Sequence, residues 1–164
     1  MSFEERLGEL YTKIAQMVNN MIPLQWETFF LNARLSDGGW ATVYFYYRKP
    51  NSNGELLYSG NIPTDHNIKH TAYTMVLLDL IKLVQELRQA FIDEDQDAWY
   101  SFAMTVSSQG KMDAEFGYVD WQQSEYQEDE LMNYHIYKHI DKKYIDSTEW
   151  VKMEEMVQYE NKQT

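Results

Sequence analysis

Phe29-Phe30-Leu31-Asn32-Ala33-Arg34-Leu35-Ser36-Asp37-Gly38-Gly39-Trp40-Ala41-Thr42-Val43-Tyr44-Phe45-Tyr46-Tyr47 is the stretch that decides the fold. Phe29, Leu31, Ala33 and Leu35 point one way and Asn32 and Arg34 the other. Beyond the Ser36–Gly39 turn, Ala41, Val43, Phe45 and Tyr47 alternate with Thr42, Tyr44 and Tyr46. Alternation with a period of two on both sides of a Gly-rich turn predicts paired antiparallel strands. A second turn, Pro50-Asn51-Ser52-Asn53-Gly54, leads to a short strand at Leu56–Ser59, which makes a meander. The second strand has no polar side, because Tyr44 and Tyr46 oppose Val43 and Phe45. Either a helix covers those tyrosines or they form an exposed docking surface; with two long helices available, coverage is the expectation.

Towards the N-terminus, Ser2 followed by Glu5 is a capping-box pattern. It starts a helix with Leu7, Leu10, Tyr11, Ile14, Met17, Val18 and Met21 on one face, ended by Pro23. Past the meander, Ile62–His70 contains Pro63 and reads as a loop. A long helix follows, with Tyr73, Val76, Leu77, Leu80, Val84, Leu87 and Phe91 at helical spacing. Met75, Leu78 and Ile81 widen that stripe, which predicts a central helix covered on more than one side. Alternation then returns in Tyr100–Val106 and Met112–Tyr118 around a Ser107–Gly110 turn, a hairpin whose other face shows Asp113 and Glu115. Two short amphipathic runs close the chain, one through Leu131, Tyr134, His135 and Lys138, the other through Trp150, Met153 and Val157. The order α-β-β-β-α-β-β-α-α predicts an α+β domain: a mainly antiparallel five-stranded sheet, meander plus hairpin, with packed helices. Residues 1–164 read as one domain, with 127–164 a C-terminal helical extension.

The charge is lopsided. The chain carries −12 overall, and residues 91–130 alone hold eleven carboxylates against one cation, Lys111. The same stretch contains Phe91, Trp99, Tyr100, Phe102, Phe116, Tyr118, Trp121 and Tyr126, too much aromatic area for a solvated tail. Acidity of this degree disfavours nucleic acid and anionic membranes as direct partners. No stretch approaches a membrane span of about 20 apolar residues. The acidic N-terminus lacks a signal-peptide pattern, and with no cysteine there is no disulfide framework. A cytoplasmic protein is the expectation.

Catalytic patterns are weak. Asp93-Glu94-Asp95-Gln96-Asp97 resembles the start of a calcium loop, but Ala98 stands where glycine is needed and Met104 where glutamate is needed. His66 with His70, and His135 with His139, have the spacing of two zinc ligands on one helix face. Neither pair carries the glutamate of a zinc-hydrolase helix, and no third ligand follows from spacing. No cofactor or metal is expected. A metal-dependent hydrolase built on His135 and His139 is the competing reading, and a non-inhibitory chaperone or adaptor for a secretion substrate a third.

Carboxylates beside large aromatics suit a basic partner that is first steered and then anchored. The contact pool is Asp93, Glu94, Asp95, Asp97, Asp113, Glu115, Asp120, Glu125, Glu128, Asp129 and Glu130, with Trp40, Tyr118 and Trp121 as candidate anchors. Trp99 and Trp26 read instead as core. The Trp150–Val157 helix is free to close the domain or to pair two subunits as a homodimer.

Ordered segments carry a resemblance. They are Phe3-Glu4-Glu5, Leu7, Leu10-Tyr11 and Ile14-Ala15; Met21-Ile22-Pro23 and Trp26-Glu27; Val43-Tyr44-Phe45-Tyr46-Tyr47; and Asn61-Ile62-Pro63. Glu86-Leu87-Arg88, Phe91, Trp99, Phe116-Gly117-Tyr118-Val119-Asp120-Trp121 and Ser124-Glu125-Tyr126 continue it. In this combination the chain resembles the YezG-like immunity (antitoxin) family, small acidic proteins of Gram-positive bacteria. The resemblance implies that the protein binds and silences the C-terminal nuclease domain of a secreted polymorphic toxin, similar to substrates of the type VII secretion system, inside the producing cell. A nuclease must present a basic groove to phosphates, which suits the acidic face. The chain departs from the family after Tyr126, where no Gly-x-x-Pro-Glu segment follows Tyr134, Tyr137 and Lys138.

Overall fold

The computed structural model describes residues 1–163. Its sheet has the order β3-β2-β1-β4-β5, all antiparallel. The strands are β1 (Thr28–Leu35), β2 (Ala41–Arg48), β3 (Leu57–Tyr58), β4 (Ser101–Ser107) and β5 (Met112–Gly117). β1 lies at the centre, paired with β2 through Leu31↔Phe45 and with β4 through Leu31↔Met104. The turn between β1 and β2 closes through Ser36 N–H to the Trp40 carbonyl, and Gly39 at φ 87 takes the left-handed conformation that side chains resist.

One face of the sheet carries helices α1 (Phe3–Met21) and α3 (His70–Asp93), packed along each other. Ser2 and Glu5 form the expected capping box, and Leu10, Ile14, Val18 and Met21 are the buried stripe of α1. They meet Phe29, Leu31, Phe45, Phe102 and Met104 from the strands and Leu80, Val84 and Leu87 from α3. Each fully buried side chain of this size contributes roughly 1.5–3 kcal/mol. Trp99 is wholly buried against Phe102 and Phe116, as expected, and Trp26 packs edge-on to Phe29.

The tyrosine face of β2 is covered, though not by the long helices. Phe30, Tyr44 and Tyr46 pack under α4 (Glu128–His135), a π-helical turn at Ile136–Ile140, and α5 (Trp150–Gln163). Since this C-terminal segment closes the second face, α3 is left with one covered side. Met75 and Leu78 are 69% and 52% exposed, which corrects the expectation of a helix covered on more than one side. A short helix, α2 (Ile62–Asp65), replaces part of the expected loop, because proline fits the first turn of a helix.

Helix α3 ends with an aspartate where glycine is usual. Asp95 sits at φ 55, and Asp95 N–H and Gln96 N–H bond back to Ile92 and Phe91. Asp95→Gly relieves that backbone cost, so it is expected to raise stability by up to about 1 kcal/mol. An unchanged or lower melting temperature would contradict this.

Candidate functional site

Antiparallel pairing gathers distant segments at one end of the sheet. Arg34 pairs with both Thr42 and Ser101, and Ser101 with Gly117. The β1–β2 turn, the loop leading into β4 and the segment leaving β5 therefore meet there. These segments hold Asp37 and Trp40, then Asp93, Glu94, Asp95 and Asp97, then Tyr118 and Asp120.

Two buried arginines organise this end. Arg88, on the inner side of α3, donates from Nε to the Trp99 carbonyl at 2.7 Å and from Nη2 to Asp37 Oδ1 at 2.8 Å. Tyr100 donates to the other Asp37 oxygen at 2.9 Å. These two bonds hold the Asp37 carboxyl below the usual carboxylate range, so it is firmly ionised. Arg34, 4% exposed, grips Glu128 through Nη1 and Nη2, and its guanidinium lies 6.0 Å from the centre of the Trp40 ring. The pair ties the first turn of α4 to the central strand.

The charges here differ in their structural justification. Glu128, Asp129 and Glu130 occupy the first turn of α4, where the helix dipole favours carboxylates. Asp93, Glu94, Asp95 and Asp97 occupy the opposite kind of position, the negative end of a 24-residue helix with no basic residue in its last turn. Arg6 and Gln89 offset this at Asp93 alone, lowering its pKa. Among the described residues Glu94, Asp95, Asp97, Asp120, Glu125 and Asp129 make no ion pair.

The remaining expected contacts lie elsewhere. Asp113 and Glu115 sit on edge strand β5 facing the C-terminal segment, and Glu115 pairs with His139 Nδ1 at 3.1 Å. Glu125 and Glu130 line a cleft of about 310 Å³ with Tyr126, Tyr159, Glu155 and Lys152, the last 3.7 Å from Glu130. Trp121 is 5% exposed and packs against Tyr134 and Tyr159 with ring centres at 5.3 and 5.5 Å. It is a core residue of the second face, which corrects its reading as a surface anchor. Trp40 remains half-exposed and Tyr118 is 45% exposed.

Sequence reasoning missed Asp37, Arg34 and Arg88. Asp37 looked like ordinary turn chemistry. Arg88 left a signal, a cation four residues after Val84 and three before Phe91, on the apolar stripe of α3.

The histidine pair is an interior feature. His135 is buried, stacked on Tyr46 and edge-on to Tyr44, and its ring centre is 5.4 Å from that of His139. Among the described residues no three His, Asp or Glu side chains converge as a metal ion requires. Burial pushes both imidazoles below the ordinary histidine range, although Glu115 opposes this at His139. Below about pH 6.5 the unfolded chain therefore binds more protons than the folded one. The histidine contribution to stability is complete above that pH and is lost as pH falls. His135→Phe is expected to flatten the decline between about pH 6.5 and 5, read from thermal melts; parallel curves for the two proteins would count against it.

Comparison with known proteins agrees along most of the chain. The family model "Immunity protein YezG-like" matches residues 7–155. The type VII secretion system protein EsaG of Staphylococcus aureus is 37% identical over 138 residues, 84% of this chain and 83% of its own. Immunity protein YezG of Bacillus spizizenii is 31% identical over 135 residues, 82% of this chain and 83% of its own. Its namesake in Bacillus subtilis is 28% identical over 114 residues, 70% of this chain and 74% of its own.

Proposed function

Because the chain belongs to the YezG-like immunity protein family, we propose that it neutralises a secreted toxin by binding the toxin's basic nuclease domain in the cytoplasm of the producing cell. The protein acts as a binder in this reading. Its contact surface is the acidic end of the sheet, built around Trp40, Tyr118, the carboxylates of 93–97 and Asp120.

One observation carries the reading. Carboxylates accumulate at the negative end of α3, where they oppose the helix dipole and three of the four, Glu94, Asp95 and Asp97, have no cation. Such an arrangement costs stability in the free protein, and a cationic partner relieves it. A nuclease supplies that partner, since cleavage of nucleic acid requires a positive surface for phosphates. Opposed fields of this kind accelerate association and fix register.

Co-expression with nuclease domains of type VII toxins from the same genome tests this. Restored growth, intact chromosomal DNA and a stable complex are expected. A complex in which the nuclease still cleaves would make the protein an escort, and absence of binding would remove the proposal.

A further inference from the structure

Beside the acidic loop lies a crevice of about 190 Å³ between the β1–β2 turn and the last turns of α3. Leu35, Trp40 and Ile92 form its apolar walls, Gln85 and Gln89 add amides, and Arg88 lines it beside Asp37, which stands at its rim. We propose that this crevice seats one arginine side chain of the basic partner, its stem against Ile92 and Leu35 and its guanidinium between the Trp40 indole and the Asp37 carboxylate. That the partner is a toxin nuclease rests on the proposed function; the arginine seat does not.

Size, fixed geometry and charge support this occupant. The volume is below the roughly 300 Å³ at which small-molecule sites begin, and it suits a single long side chain. The carboxylate is held in place in advance, because Asp37 takes a bond from Arg88, which is itself nine-tenths buried, and another from Tyr100. Burying an arginine is costly, yet here it fixes an aspartate whose side chain remains 71% exposed. The exposed side of that carboxylate is left to accept from a newcomer. Both arginines of the neighbourhood are already matched, Arg88 by Asp37 and Arg34 by Glu128. Glu94, Asp95 and Asp97, which make no ion pair among the described residues, follow directly on the turn of α3 that carries Ile92. An indole wall with a carboxylate opposite favours a planar guanidinium over an ammonium, which lacks the flat face and the paired donors.

N-acetyl-arginine amide, titrated into the folded protein, is the direct probe, with N-acetyl-citrulline amide as its neutral isostere. Saturable shifts of the Trp40 indole N–H and the Gln89 side-chain amide are expected with arginine alone, and Ile92→Lys is expected to abolish them. Equal responses to both probes, or shifts spread over all acidic segments without saturation at Trp40, would overturn the seat. Ile92 is 41% exposed, so its variants keep the core intact. In a second arm the dissociation constant is measured for the toxin domain that the wild-type chain neutralises. Ile92→Lys is expected to weaken it about tenfold and Ile92→Glu, which loses the apolar wall but adds no repulsion, only about twofold, at unchanged melting temperatures. Identical constants for the Lys and Glu variants would also overturn the seat. Should the wild-type chain neutralise no toxin, the proposed function fails while the arginine titration still decides the crevice.

Discussion

Trp121→Ala is expected to lower stability by about 3–5 kcal/mol, because it empties a packed site and leaves a cavity. The indole is the shared surface of Tyr126, Tyr134 and Tyr159, and Met153 and Met156 are wholly buried in the same cluster. A domain of this size has only about 5–15 kcal/mol in total, so the loss is large. It should fall first on the C-terminal segment, whose hold on the sheet runs through this cluster and the Arg34–Glu128 pair. Urea denaturation supplies the magnitude, and amide exchange of α4 and α5 shows where it falls. Trp40→Ala, at a half-exposed position, is the contrast and should barely move the midpoint. If instead Trp121→Ala left stability intact while weakening toxin binding, the residue would be a surface anchor after all.

Changing Glu94, Asp95, Asp97 and Asp120 together to amides should slow association with the proposed nuclease partner by roughly ten- to a thousandfold at low ionic strength. The salt dependence of the rate should shrink with it, because fewer opposed charges remain to be screened. A matched control alters Glu4, Glu9, Asp79 and Glu86, exposed carboxylates of α1 and α3, and changes the net charge equally. Stopped-flow association at two salt concentrations separates the sets. Equal slowing by both would mean that net charge does the steering and that the end of the sheet has no special part in it. Asp95 ties this experiment to the stability of the fold. The glycine that makes the helix end easier also removes one of the charges, so Asp95→Gly is expected to gain stability while losing some association rate.

Much of the architecture was legible along the chain because periodicity is a local property. The alternation from Phe29 to Tyr47 became β1 and β2 in the register that places Leu31 against Phe45, and the Ser2–Glu5 pattern became a capping box. Each depends on residues a few positions apart. The acidic bias of 91–130 was equally plain. Composition could not say which carboxylates share a surface, so Asp113 and Glu115 were pooled with the loop at 93–97, although β5 turns them towards His139. Trp121 was misread for a similar reason. An aromatic beside acidic residues looks the same whether it points out to a partner or in towards Tyr134.

Local pattern is enough to specify the strands, the long helices and the placement of negative charge, since side-chain periodicity and turn chemistry act over a few residues. Tertiary structure decided which layer covers the tyrosine face and which polar groups meet. Arg88 finds Asp37 across 51 positions, and Arg34 finds Glu128 across 94. Pairings at such range leave no spacing signal. They are fixed only once the sheet and both helical layers have closed, when each buried guanidinium must find an acceptor or bear the cost of desolvation.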